Sequence, residues 1–159
     1  MSTPGGSPES YTARKRGAVS LRTTRLCPAG VQPWFIDCIT AGADKIAYCA
    51  TLAIYIFQKN TYSLYRVINA HSNTITSLSF SPAHQNVLAS SAVDKSIIIW
   101  NVDTGEKLAS YCHRERVMRI DWNFSGTKLA FLDLGEVFLW KIPQWEGTGT
   151  VSSLGEVSK

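Results

Sequence analysis

This chain lacks any C-x-x-C pair, and no apolar run in it reaches the roughly eighteen residues that span a bilayer as a helix. Its four cysteines, Cys27, Cys38, Cys49 and Cys112, stand apart. That usage points to buried thiols in a reducing, cytoplasmic setting rather than to a disulfide framework. No secretory apolar stretch opens the sequence, and Pro4, Gly5, Gly6 and Pro8 spoil the amphipathic helix that a mitochondrial leader needs. His71, His84 and His113 are scattered, and Cys112-His113 has no matching second pair, so no metal is expected. Neither phosphate-cradling glycine pattern occurs, so no cofactor is expected. No segment sustains helical apolar spacing, which leaves an all-β chain.

Charge is unevenly placed. Residues 1–26 hold Arg14, Lys15, Arg16, Arg22 and Arg25 against Glu9, which is the whole net charge of +4. The remainder is neutral and lacks the basic stripe of a nucleic-acid binder. Arg14-Lys15-Arg16 offers a contact for RNA, an anionic membrane or an import receptor, against the plainer reading of a solvated tail. Residues 1–17, rich in Pro, Gly and Ser, are expected to be a disordered basic tail, residues 18–33 an amino-terminal strand and lead-in, and residues 146–159 a disordered carboxy-terminal tail.

Between the tails one pattern recurs at about forty residues. The middle copy runs from His71 through Ile75–Phe80 and Leu88-Ala89-Ser90-Ser91 to Asp94 and Ile97-Ile98-Ile99-Trp100. The third runs from His113 through Ile120-Asp121-Trp122 and Leu129-Ala130-Phe131 to Val137-Phe138-Leu139-Trp140. A fainter first copy sets Ile46-Ala47-Tyr48 and Ile54-Tyr55-Ile56-Phe57 in the same register. Such a period marks a repeat architecture whose units are completed by their neighbours.

These residues resemble the WD40 family of β-propellers over about residues 34–142, and 28–34 with 47–58 resemble the opening of one much longer member, in which many repeats precede a helical region. The resemblance implies three four-stranded blades, 34–70, 71–112 and 113–145. Propellers close with roughly four to eight blades, so this fold class is a propeller fragment of about three blades in an incomplete ring: part of a longer protein, a short isoform, or a chain that self-associates or is completed by further repeats. Ile54, Ile56, Val137, Phe138 and Leu139 are then expected to lose cover at the open ends.

The middle copy contains the residue types of a hydrolytic triad: His71, Ser90 or Ser91, and Asp94. No G-x-S-x-G elbow exposes the serine. The resemblance implies instead a buried structural tetrad of His71, Ser90, Asp94 and Trp100; in the third copy the acid is Asp133, seven residues before Trp140 instead of six. Asp103-Thr104-Gly105 imitates an aspartic-protease tripeptide but lacks the second copy that chemistry needs. It reads as a turn in which Asp103 accepts backbone hydrogen bonds and Gly105 takes a positive φ. The function expected is a non-catalytic scaffold for protein partners, with no membrane and no nucleic acid bound through the repeat body. Its contact residues are Arg114, Arg116, Asn73 and Lys95 on the loops 72–74, 92–95, 114–116 and 132–134. A His-Ser-Asp hydrolase and a truncated isoform with no autonomous function are the alternatives.

Overall fold

The computed structural model describes residues 37–142 and 157–158. Strands are the only regular elements among them, and they form three four-stranded antiparallel sheets. The first sheet holds β1 (Ile39–Ala41), β2 (Lys45–Ala50), β3 (Ala53–Gln58) and β4 (Leu64–Asn69) in that order. The second holds β5 (Ile75–Phe80), β6 (Val87–Ala92), β7 (Ser96–Asn101) and β8 (Lys107–Cys112). The third holds β9 (Arg119–Trp122), β10 (Lys128–Leu132), β11 (Val137–Lys141) and β12 (Val157–Ser158).

β12 departs from the expected carboxy-terminal tail. Trp140 faces Val157 and Leu139 faces Ser158 across an antiparallel ladder, and Val157 packs on the core beneath. The glycine- and serine-rich composition hid this strand, because its stability comes from the otherwise unpaired edge of β11 and not from its own pattern. The strand expected within 18–33 lies outside the described residues.

Alternation decides how the sheets stack. Side chains point to opposite faces with period two, so each sheet has a leading face toward the sheet before it and a trailing face toward the sheet after it. In Ile97-Ile98-Ile99-Trp100, Ile98 and Trp100 lead and enter a core with Ala47, Cys49, Ile54 and Ile56 of the first sheet. Ile97 and Ile99 trail and enter a core with Ile120, Trp122, Leu129, Phe131, Phe138 and Trp140 of the third. An unbroken apolar run is therefore needed, because both faces are covered. Burying each such isoleucine contributes about 1.5–3 kcal/mol.

The same parity corrects the expectation about the open ends. Ile54 and Ile56 are fully buried on the trailing face of the first sheet, and Phe138 is buried on the leading face of the third. Of the five residues named, Val137 is exposed and Leu139 half-buried. Cys112 is likewise exposed, whereas Cys38 and Cys49 are buried thiols as expected.

The inner strands β1, β5 and β9 lie side by side. Phe80 N–H reaches Thr40 Oγ1 at 3.4 Å, Ile120 N–H reaches Ser77 Oγ at 3.3 Å, and Trp122 Nε1 donates to Ser79 O at 3.0 Å. Asp121-Trp122 thus belongs to the inner strand of its sheet. In the first and second sheets a register shift falls at the same place, just before Phe57 and just before Trp100, on the way to the outermost strand. Bulges of this kind strengthen local twist.

Candidate functional site

The loop that ends at His71 is set by the first sheet. The β2–β3 hairpin turns at Thr51, whose φ of 56° is unusual for a β-branched residue. Its tip carbonyls receive the next repeat: Leu52 O accepts the Ala70 and His71 amides and Thr51 O accepts that of Ile75. His71 is thereby aimed into the second sheet, where its side chain is fully buried.

The structure brings together all four residues of the expected tetrad. Trp100 Nε1 donates to Ser90 Oγ at 2.8 Å, and Ser90 Oγ lies 2.8 Å from His71 Nε2. His71 Nδ1 lies 3.1 Å from Asp94 Oδ2 and 2.9 Å from Ser96 Oγ. One direction satisfies every atom: the indole N–H donates to Ser90, the Ser90 hydroxyl to Nε2, and the Nδ1 proton to Asp94 and Ser96. This direction assigns a neutral, Nδ1-protonated imidazole. Burial accordingly pushes the His71 pKa down, against the pull of Asp94 in the other direction.

Asp94 anchors the outer end. Burial opposes its charge, but hydrogen bonds from the Ser96 hydroxyl and from the Ser96 and Ser72 amides, with the pull of His71, hold its pKa below the ordinary value. Ser96 Oγ donates at 2.6 Å, Ser96 N at 3.1 Å and Ser72 N at 2.9 Å. Ser72 and Ser96 were missed by the sequence reading, although Asp-x-Ser is the spacing at which an aspartate caps the amide two residues on. Ser91, the alternative nucleophile, points to the other face and bonds Thr76 Oγ1 at 2.9 Å.

The third sheet builds half of this chain. His113 Nε2 meets Asp133 Oδ2 at 3.1 Å, with both side chains buried. Asp133 Oδ1 accepts the amides of Gly135 and Glu136 at 3.0 and 2.9 Å. Those backbone bonds, Gly135 first, and His113 hold its pKa down to about 2. The extra residue before Trp140 is thus absorbed in the turn. The link to the tryptophan is missing, because Phe131 stands at the position of Ser90, and Trp140 Nε1 finds no acceptor among the described residues.

Two loop readings change. Asn101 Oδ1, rather than Asp103, caps the turn after β7, accepting the Asp103 and Thr104 amides at 2.9 and 3.3 Å. The Asp103 carboxylate instead takes the Tyr65 hydroxyl at 3.1 Å and pairs with buried Lys45 at 3.3 Å, joining the first sheet to the second. Asn101 stands two residues before the first of those amides, the spacing at which a side-chain oxygen closes an Asx turn, whereas Asp103 lies inside the turn. Gly105 does take the positive φ, at 80°.

The expected contact residues share one rim. Val93 N bonds Thr74 O, His113 N bonds Lys95 O at 2.8 Å, and Lys95 Nζ donates to Arg114 O at 2.8 Å. Arg114 reaches Glu136 at 2.9 Å in an exposed pair, worth about 0–1 kcal/mol. Asn73 caps the Thr74 amide at 2.8 Å, and Arg116 is exposed. Among the described residues, no group of three or more His, Cys, Asp or Glu is placed to hold a metal ion.

Comparison with known proteins follows this geometry. Residues 62–101, from the outer strand of the first sheet to Asn101, match the model of the WD domain, G-beta repeat. That segment is similar to a WD40 repeat. An uncharacterized WD repeat-containing protein of Schizosaccharomyces pombe is 36% identical over 61 residues, covering 38% of this chain and 15% of that protein. Human Coronin-7 is 35% identical over 65 residues, 40% of this chain and 7% of its own length. The nuclear distribution protein PAC1 of Candida tropicalis is 33% identical over 89 residues, 55% and 18%. The chain thus spans under a fifth of the length of these relatives. The β-propeller domain of Cps50 (Swd1) from Myceliophteria thermophila superposes with a TM-score of 0.60 at 23% identity, over 67% of this chain and 36% of that domain. The three sheets have the fold of β-propeller blades, and among the described residues they form an open stack.

Proposed function

We propose that this chain is a non-catalytic WD40 scaffold that binds protein partners through the rim carrying Asn73, Lys95, Arg114 and Arg116. The observation that carries the reading is the fate of the serine. Ser90 has the His71 contact of a nucleophile, yet it is fully buried and its oxygen already accepts the Trp100 N–H. A hydrolase requires its serine to be open to a scissile carbonyl, which a fully buried Ser90 is not. The tetrad acts instead as a strut: it satisfies polar groups inside the blade and holds the rim loops at fixed separation. Arg114 and Arg116 suit contacts with carboxylate-bearing protein surfaces, since arginine is enriched at interfaces.

A cytoplasmic setting fits the buried thiols of Cys38 and Cys49. Residues 28–34 and 47–58 resemble the amino-terminal portion of WD repeat-containing protein 17, a likeness that supports reading this chain as one segment of a longer array of repeats. Two measurements test the reading. A fluorophosphonate probe should leave Ser90 unlabelled, and labelling would restore the hydrolase. Arg114→Glu with Arg116→Glu should abolish crosslinking of partner proteins to the rim without moving the melting temperature; unchanged crosslinking would remove the rim from the proposal.

A further inference from the structure

One rung of the inner hairpin carries a different pair of side chains in each blade. In the second blade Ser77 faces Ser91, and in the third Arg119 faces Leu132. These rungs adjoin the pairs Leu78–Ser90 and Ile120–Phe131, whose counterpart in the first blade is Ile39–Tyr48. The next rung there sets Cys38 opposite Cys49. The Cys49 amide donates to Cys38 O at 2.9 Å, and both side chains enter the core between the first and second blades, at 7% and 2% exposure. The two thiols hydrogen-bond each other.

Facing residues joined by a ladder hydrogen bond have Cα atoms about 5.5 Å apart. Ordinary disulfides hold their Cα atoms at about 5.5–6 Å, so this rung accepts an S–S bond with little backbone movement. Access is what limits the chemistry. Burial pushes both thiols up, which suppresses the thiolate that attacks. Cys38 has the shorter way out, because it immediately precedes β1, a strand of 3 residues whose Ile39 is 64% exposed. Cys49 lies within the six-residue strand β2, paired on both sides by β1 and β3.

We propose that Cys38 and Cys49 are a site of reversible oxidation, forming a cross-strand disulfide with a low-molecular-weight disulfide, oxidised glutathione, as the oxidant. With β1 lifted, the Cys38 thiol loses its proton to water and its sulfur attacks the oxidant, forming a mixed disulfide and releasing one glutathione thiolate. As β1 settles back, the Cys49 thiol gives up its proton and its sulfur attacks that of Cys38, breaking the mixed disulfide and releasing the second thiolate. Each released thiolate takes up a proton, so two protein thiols are oxidised and one glutathione disulfide is reduced. A transient bond is the form that disulfides take in a reducing compartment. Its consequence falls on the neighbouring residue. Asp37 bridges Ser77 and pairs with Arg119 at 3.0 Å, so the bond anchors the segment that ties the first blade to the other two. It uses neither the rim loops nor the tetrad, so it stands or falls separately from the scaffold reading.

The test uses the full chain carrying Cys27→Ser and Cys112→Ser, which leaves Cys38 and Cys49 as its only thiols, equilibrated in glutathione redox buffers. Oxidation should remove both titratable thiols, leave tryptic fragments 26–45 and 46–59 joined until reductant is added, and raise the melting temperature, since the bond constrains the unfolded chain. In wild type, fragmentation of the joined peptides should place the link at Cys38 rather than Cys27. A further Cys49→Ser, a side chain already accepted on this rung in the second blade, should leave a glutathione adduct on Cys38 and abolish both the joined fragments and the rise in melting temperature. Two free thiols in the oxidising buffer, or glutathione adducts on both cysteines without joined fragments, would overturn the disulfide. Joined fragments with an unchanged or lowered melting temperature would overturn its anchoring role.

Discussion

Ser90 and Phe131 occupy the same register position in successive blades, opposite Ile98 and Phe138 respectively. The first blade places Tyr48 there, opposite Tyr55, and those rings stack at 5.2 Å and 6°, as Phe131 and Phe138 do at 5.2 Å and 15°. One position therefore has two solutions: a hydroxyl that collects hydrogen bonds, or a ring that stacks across the ladder. The third blade mixes them, retaining its His-Asp pair and its tryptophan while losing the hydroxyl between.

The two tryptophans should accordingly respond differently to the same substitution. Trp100→Phe removes a donor that has a partner and should cost about 1–2 kcal/mol more than Trp140→Phe, whose buried N–H has none among the described residues. Urea titrations of both variants would measure the difference, and equal losses would mean that Trp140 has an acceptor after all.

Asp94→Ala should destabilise the protein by about 1–3 kcal/mol, because it strands the amides of Ser72 and Ser96 together with His71 Nδ1. A thermal melt reads this directly. An unchanged midpoint would show that the loops hold without the carboxylate.

Stability should fall on acidification in two stages. His71 stays neutral in the folded state while an unfolded histidine gains a proton below about 6.5, so its contribution is full above that value and declines beneath it. Asp94 and Asp133 contribute above the ordinary 3.8 and lose that contribution as pH drops toward their lowered folded values. His71→Gln should flatten the first stage, whose slope is at most about 1.4 kcal/mol per pH unit, and leave the second. Urea midpoints measured from about pH 8 down to about pH 2, the range over which these groups titrate, would separate the two.

Gly126 turns the β9–β10 hairpin at φ 66°, and a Cβ there would stand 2.8 Å from both Ala83 Cβ and Ser81 Oγ of the second blade. Gly126→Ala should therefore cost about 1–3 kcal/mol through backbone strain and overpacking. Denaturant midpoints check it; a neutral outcome would mean that the 81–84 loop yields freely.

Much of this was legible beforehand, because the repeat period and the Ile97–Trp100 run encode blade boundaries and two-sided burial. His71, Ser90, Asp94 and Trp100 came through as a set, since a full hydrogen-bond chain demands four residue types at fixed offsets. Face assignment did not come through. Ile54 and Ile56 were placed at an open end because repeat spacing tells which residues are inward but not toward which neighbour; that requires the pairing register. Val157–Ser158 was invisible for a related reason: two residues take strand form only because β11 offers an edge.

Asp37 belongs to none of the numbered strands, yet its backbone bridges Ser77, its carbonyl accepts the Leu78 amide at 3.1 Å, and its carboxylate holds Arg119 at 3.0 Å. Three successive segments thus meet at one residue. During synthesis the Asp37 backbone can seat on β5 as soon as the second blade is made, whereas its carboxylate waits for β9. A nascent chain stalled short of Arg119 therefore holds this corner by its backbone alone.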